Sequence, residues 1–361
     1  MALEQAIPTQ DAPIVERIRA AGAIPIGRTN LPEMGLRIST NNPLRGLTRN
    51  PWDPELTAGG SSGGEGSAIA SGMSPLGLGN DIGGSVRNPA FCCGIASIKP
   101  TQGRAPDATM LPPEDPWLGA QLMATNGPMA RRVADVRTAL QVMSGQHVRD
   151  PRSLTVPFDG PEVSKRAALV TDLPGGGVIP AVADAVRLAG QALQAAGYDV
   201  EEVSPPEIEH VSAVAQVLIR GIRGLRDVLG QVMSAEALTL LDQMDASLPT
   251  DVMPGDAVHV ERSRLGRAWA AFFAERPIVV GPVWPTKQFA HDADLEADSG
   301  MDLTLGRLRF ITPGNLLGIP GAVVPTGWPT AYRCRCRSTP TVSVTTWPCR
   351  RPRSSRRQPN R

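Results

Sequence analysis

The chain has 361 residues, with 36 Lys and Arg against 35 Asp and Glu, so its net charge is only +1. Its length suits one large α/β domain or two smaller ones, and its charge balance offers no global field to nucleic acid or a membrane surface. No apolar run of about 18 residues marks a membrane span, and the start (MALEQAIPTQDAP) is neither basic nor apolar like a secretory signal.

Taken in order, residues 11–22 read as a helix, with Asp11 as N-cap, Pro13 in the first turn and Gly22 as C-terminal stop. Ile14, Val15 and Ile18 give it one apolar face. Residues 23–27 (AIPIG) read as a short buried strand, and helix followed by strand suggests a parallel sheet. Within the Gly- and Ser-rich run 57–102, residues 67–72 suit a helix and 74–79 a short apolar strand. Residues 127–135 begin an amphipathic helix, and 167–171 (AALVT) are strand-like. Val182, Val186, Ala189, Leu193 and Ala196 recur at helical spacing before Gly197. Met and Leu stripes over 217–244 are helical and more often core than cofactor contacts. Residues 277–282 (PIVVGP) and 315–325 (NLLGIPGAVVP) read as buried strand segments.

The run 57–102 carries the chemistry. Ser61 lies in GGSSGG and Ser85 in DIGGSVR, and the helix and strand between them can fold back so that both hydroxyls meet. Glycine lets backbone N–H groups approach a substrate closely. Ile82, Gly83 and Gly84 thus offer successive donors to an oxygen gaining charge beside Ser85, which is what an oxyanion hole requires. A serine held there is an acyl-transfer nucleophile if a base takes its proton. Taken alone, GGSSGG is more often a flexible loop. A phosphate loop would need a lysine that neither glycine cluster has, and Gly77-Leu-Gly79 lacks the third glycine of a dinucleotide fingerprint. Five cysteines form no CxxC pair. Cys92 and Cys93 read as buried thiols in a reduced, cytoplasmic setting, with no metal or cofactor site. His147, His210, His259 and His291 lie outside the run and lack an Asp context for a Ser-His-Asp site.

As a whole the run resembles the amidase signature family of serine amide hydrolases. The resemblance rests on residues 59–66, on PLGLGNDIGGSVRNP over 75–89 and on Lys99-Pro100-Thr101, and extends loosely over about 7–327. It implies an α/β fold, a central mixed β-sheet flanked by helices on both faces, here incomplete at both ends. It implies Ser85 as nucleophile, Ser61 as a bridging serine in a cis peptide, Ile82, Gly83 and Gly84 as the oxyanion hole, and Asp81 and Arg87 as loop supports. The partner it implies is a small-molecule amide; no nucleic acid, membrane, cofactor or metal is expected, and a homodimer is compatible with it.

Two departures qualify the expected activity. The family's triad lysine precedes the first helix, whereas here no lysine precedes Ser61 and the only ones are Lys99, Lys165 and Lys287. A chain without that base is expected to turn over poorly, and one whose sheet lacks neighbours at both ends to be poorly soluble and to expose sheet edges. Residues 328–361 hold nine arginines, no acid and three of the five cysteines. Plausible codons for them, read one base earlier, encode a Gly-Leu-Pro-Val-Gln-Val segment like the family's closing strand. The expectation is therefore one domain over 1–327 and a disordered, frameshifted tail. Three readings follow: an amidase of small or aryl amides damaged at both ends, a pseudoenzyme that binds an amide or a partner, and the amidase subunit of a tRNA-dependent amidotransferase.

Overall fold

The computed structural model describes residues 7–108, 116–247, 253 and 255–326, and the backbone of 341–346. A small hairpin, β1 (Asn41–Asn42) with β2 (Gly46–Leu47), lies apart from an eight-stranded mixed sheet. The sheet comprises β3 (Leu76–Asp81), β4 (Ala96–Lys99), β5 (Thr125–Ala130), β6 (Arg166–Leu169), β7 (Asp199–Glu202), β8 (Ile278–Pro282), β9 (Gly321–Pro325) and β10 (Thr341–Thr346). Their order is β3-β5-β4-β9-β10-β8-β6-β7. Pairing is antiparallel from β3 as far as β8 and parallel between β8, β6 and β7.

Helices cover both faces. The first half contributes α1 (Pro13–Ala20), α2 (Gly63–Ala70), α3 (Arg87–Cys93), α4 (Leu118–Met123), α5 (Val133–Met143) and α6 (Pro180–Ala195). The second contributes α7 (Ile208–Arg220), α8 (Arg226–Leu229), α9 (Ala235–Ala246), α10 (Gly255–Glu275), α11 (Gly300–Leu308) and α12 (Thr312–Leu316). Neighbouring residues of β8 show the two-sided burial: Val280 packs with Ala185 and Val186 of α6, while Val279 joins the main core with Val211, Trp269 and Phe310. Side chains alternate across a strand, so a strand covered on both faces reads as an unbroken apolar run, as Ile278–Pro282 does. Trp284, just past β8, is fully buried between Phe91 and Phe289, with ring centroids 5.3 and 5.4 Å away.

The mixed sheet and its two helical layers match the expected class, with local differences. Pro13 opens α1, but Asp11 does not cap it; its carboxylate instead accepts a bond from Arg19 at 2.5 Å. Residues 23–27 form no strand, and Ile24 and Ile26 are 83 % and 74 % exposed. A strand pattern needs a neighbouring ladder; among the described residues none lies alongside, and Pro25 supplies no N–H. Residues 127–130 belong to β5, and the amphipathic helix begins at Val133. Within the tail expected to be disordered, Thr341–Thr346 forms β10, antiparallel to both β8 and β9. Its Thr-Val-Ser-Val-Thr-Thr sequence is rich in β-branched residues that suit a strand, a local signal outweighed in composition by the surrounding arginines. The rest of 328–361 lies outside the described residues.

The strip around Ile24 and Ile26 should drive self-association, since contiguous exposed apolar surface promotes it. Ile24→Ser with Ile26→Ser should lower light scattering at equal protein concentration while moving stability by no more than about 0.5 kcal/mol. Unchanged scattering would exonerate the strip.

Candidate active site

The site is built on the turn between β3 and α3. β3 ends on Asp81, whose carboxylate accepts N–H bonds from Gly84 (2.8 Å), Val86 (3.2 Å) and Arg87 (3.4 Å). An acid there also suits the positive end of the helix dipole. Arg87, the first residue of α3, closes the turn by donating from Nε and Nη2 to the two Asp81 oxygens at 3.0 and 2.9 Å. Asp81 is 0 % exposed and Arg87 1 %. Asn315 of α12 donates to Asp81 Oδ1 (2.9 Å) and accepts from Arg87 (2.5 Å), while Arg87 Nη1 donates to the Ile311 carbonyl (2.8 Å). Burial alone would raise the Asp81 pKa, but the Arg87 guanidinium and the Asn315 amide hold it well below the usual carboxylate range.

Glycine is obligatory at two points. Gly84 has φ +97°, and a Cβ there would fall 2.3 Å from Ile311 Cδ1 and 2.6 Å from Asn88 Oδ1. A Cβ on Gly60 would lie 2.5 Å from the Arg37 carbonyl oxygen. The Gly60–Ser61 peptide is cis, as the family resemblance implies. Its loop is held by Thr40 Oγ1 donating to the Gly59 carbonyl (2.8 Å) and by Asn88 Nδ2 donating to the Gly60 carbonyl (3.1 Å). Asn88 is fixed in turn by Trp284 Nε1, which donates to its Oδ1 at 2.9 Å. The two serine loops meet where the Ser62 N–H donates to the Ser85 carbonyl at 3.1 Å.

All seven residues singled out in the sequence lie on these two adjoining loops and the start of α3. The Gly84 N–H is taken up by Asp81, whereas among the described residues the N–H groups of Ile82, Gly83 and Ser85 have no protein acceptor. Sequence reading also missed Asn88, Trp284 and Asn315. Asn88 sits inside the motif and could have been flagged; the others lie about 200 residues away, without a local signal.

No base reaches the serines among the described residues. Lys99 is fully buried and donates to the Pro100 carbonyl (2.9 Å), and Lys165 donates to the Ala196 carbonyl. Of the histidines, His147 pairs with Glu16, His210 with Glu261 and His291 with the Pro54 carbonyl. Ligand atoms of Glu207, His210 and Glu261 lie within 4.8 Å of one another. Arg264 donates to both glutamates at 2.7–2.9 Å, which makes the cluster an ion-pair network.

Ser85, Ile82 and Gly83 lie on the wall of a cavity that is open to solvent. Its walls are largely apolar, from Leu36, Ile38, Leu240, Met244, Met301 and Leu305. Arg37 also lines it and pairs with Asp292 (2.6 Å) and Asp294 (2.8 and 2.9 Å). That guanidinium is thus neutralised by two acids and offers no free positive charge to an anionic ligand.

A serine on the wall of a mainly apolar cavity, beside unpaired backbone donors, is an arrangement that suits acyl transfer. The family model described as Amidase matches residues 1–332, and the chain belongs to that family. It is 42 % identical over 330 residues to the indoleacetamide hydrolase of Bradyrhizobium diazoefficiens, covering 88 % of this chain and 62 % of that protein. It is 31 % identical over 363 residues to a subunit of the glutamyl-tRNA(Gln) amidotransferase of Thermosynechococcus vestitus, covering 90 % and 73 %. The structure of 6-aminohexanoate cyclic dimer hydrolase complexed with substrate superposes with a TM-score of 0.79 at 25 % identity, covering 94 % of this chain and 75 % of that one. Among the described residues no helix is long and apolar enough to cross a membrane.

The charges under the site can be tested by stability. Arg87→Met leaves the buried Asp81 carboxylate without its counter-charge and should cost about 3–5 kcal/mol in urea unfolding; a loss below about 1 kcal/mol would show that Asn315 alone suffices. Burial, reinforced by Arg87 and opposed by Asp81, lowers the Lys99 pKa from 10.5 to about 7. Between about pH 7 and 10.5 the unfolded lysine keeps a proton that the folded one has lost, so this group makes stability rise with pH across that window. The stability advantage of Lys99→Met over the parent should accordingly shrink from pH 7 to pH 10. A constant difference would contradict the depressed pKa.

Proposed function

We propose that this site hydrolyses a neutral linear amide to an acid and ammonia or an amine by serine acyl transfer. The observation carrying the reading is Ser85 on the wall of a mainly apolar cavity, flanked by the unpaired N–H groups of Ile82 and Gly83. Ser85 Oγ attacks the amide carbonyl; the N–H groups of Ile82, Gly83 and Ser85 take the developing oxyanion. Ser61, held on the adjoining cis loop, relays the proton to the departing nitrogen, and water then releases the acid. Asp81 and Arg87 hold the turn without touching substrate.

The cavity favours an apolar, neutral acyl group, which fits an arylacetamide of the indoleacetamide kind named for the Bradyrhizobium relative. The likeness to one subunit of an amidotransferase supports a second reading, in which the chain works with partner subunits. Because no lysine reaches Ser61 among the described residues, we read this chain as a slow catalyst; losing a triad member in another serine hydrolase costs roughly 10⁴–10⁶ in kcat. The family match stops at residue 332, which supports reading the remainder as a shifted frame that resequencing of the gene would reveal.

Phenylmethanesulfonyl fluoride, which reports a nucleophilic serine without requiring turnover, should add one mass equivalent at Ser85. Ser85→Ala should abolish both the adduct and any hydrolysis of indole-3-acetamide. Hydrolysis surviving in Ser85→Ala would refute the assignment, and turnover lost on removing co-purifying subunits would favour the second reading.

A further inference from the structure

Both serine loops converge on one fully buried side chain that takes no part in lining the cavity. Asn88 of α3 donates from Nδ2 to the Gly60 carbonyl (3.1 Å) and to the Gly83 carbonyl (3.4 Å). Those carbonyls belong to different loops, one leading into Ser61 and the other into Ser85. Asn88 Oδ1 accepts from Trp284 Nε1 at 2.9 Å. The backbone of Asn88 is wedged between the loops as well. Its N–H donates to the Gly84 carbonyl at 2.6 Å, and a Cβ on Gly59 would fall 2.9 Å from its carbonyl oxygen.

Chemistry dictates which way that amide points. An indole N–H can only donate and the two carbonyls can only accept, so a flipped carboxamide would set three oxygens together and two donors face to face. Trp284 therefore selects the one orientation in which Asn88 can tie the loops. The tie bears on the oxyanion turn. The peptide between Gly83 and Gly84 is bonded at both ends, its N–H to Asp81 (2.8 Å) and its carbonyl to Asn88. Two glycines that rotate freely elsewhere cannot turn this peptide without breaking one of those bonds. The N–H groups of Gly83 and Ser85, on either side of it, keep their places.

We propose that Asn88 is a positioning residue for the acyl-transfer step: its carboxamide, oriented by Trp284, sets the Ser61 loop against the turn that carries Ser85 and its N–H donors. It touches no substrate and acts through the backbone of both loops. The inference rests on reading Ser85 as the nucleophile. A misplacement of about 1 Å between reacting groups can cost about 10²-fold in rate, so a single amide between the loops is enough to govern it.

The test is the rate at which phenylmethanesulfonyl fluoride labels Ser85, read by mass on the full chain where near-ultraviolet circular dichroism shows it folded. Asn88→Asp keeps the shape and the acceptor for Trp284 but cannot donate while ionised; once protonated, its carboxyl donates again. At about pH 8 it should label at least about tenfold more slowly than the parent, the effect of leaving buried acceptors unpaired. Burial favours the protonated carboxyl toward about pH 5, where the deficit should narrow at least about threefold. Asn88→Leu, which can donate at no pH, should keep the same deficit throughout. Trp284→Phe keeps a ring beside Phe91 and Phe289 but removes the N–H, and should slow labelling about threefold. Phe289→Leu thins the same stack while keeping the N–H, and should stay within about twofold of the parent. That pair decides the matter if the Asn88 variants do not fold. Parent-like labelling by Asn88→Asp, a deficit as flat as that of Asn88→Leu, or a Trp284→Phe effect no larger than that of Phe289→Leu would overturn the proposal while leaving Ser85 as nucleophile. If the parent takes no label at Ser85, the acyl-transfer reading falls and this inference with it.

Discussion

The buried ion pair between Asp81 and Arg87 is the constraint on which the site depends. Two charges removed from water are tolerable only when their remaining donors and acceptors are also satisfied. Here the Asp81 oxygens accept from three backbone N–H groups, from Arg87 twice and from Asn315, while Arg87 also reaches the Ile311 carbonyl. The result is that a glycine-rich turn, flexible by composition, has one conformation. The serine is placed by a saturated charge pair rather than by the stiffness of its own loop.

That arrangement also decides when the site can exist. Asp81 and Arg87 are six residues apart, but Ile311 and Asn315 come from more than 220 positions later. Trp284 holds Asn88, and Asn88 holds the Gly60 carbonyl. Both serine loops therefore depend on distant segments packed in the same core, so partial folding would leave the charge pair incomplete and the serines unplaced.

The same division explains what the sequence made legible. Ser61, Ser85, Asp81 and Arg87 were readable because one contiguous stretch encodes their geometry through turns and a helix start. Asn315 and Trp284 were not, because an isolated Asn or Trp signals nothing until tertiary packing gives it a partner. Gly84 shows a subtler limit: glycine spacing announced a donor, but only coordinates show that Asp81 already holds its N–H. The sheet failed in both directions. Residues 23–27 had a strand's pattern and lack a paired neighbour among the described residues, while Thr341–Thr346 had little to recommend it within an arginine-rich stretch and pairs on both sides.

Chemistry and selection thus come from different parts of the chain but meet at a single joint. The serine turn is local; the cavity wall draws on the loop at 35–38 and on α7, α9 and α11. Changes in Leu240, Met301 or Thr304 can reshape the wall without touching any group that holds Asp81. Helices α7 and α11 are the exceptions, since Thr312, at the start of the helix that carries Asn315, bonds Ser212 of α7 and donates to the Leu308 carbonyl of α11. A shift of α7 or α11 on filling the cavity would press on the clamp over Asp81, whereas among the described residues no hydrogen bond ties α9 directly to it. Substitutions that retune substrate choice at lowest cost to the serine turn should accordingly lie on α9, with α7 and α11 the elements where selectivity and the geometry of Ser85 are coupled.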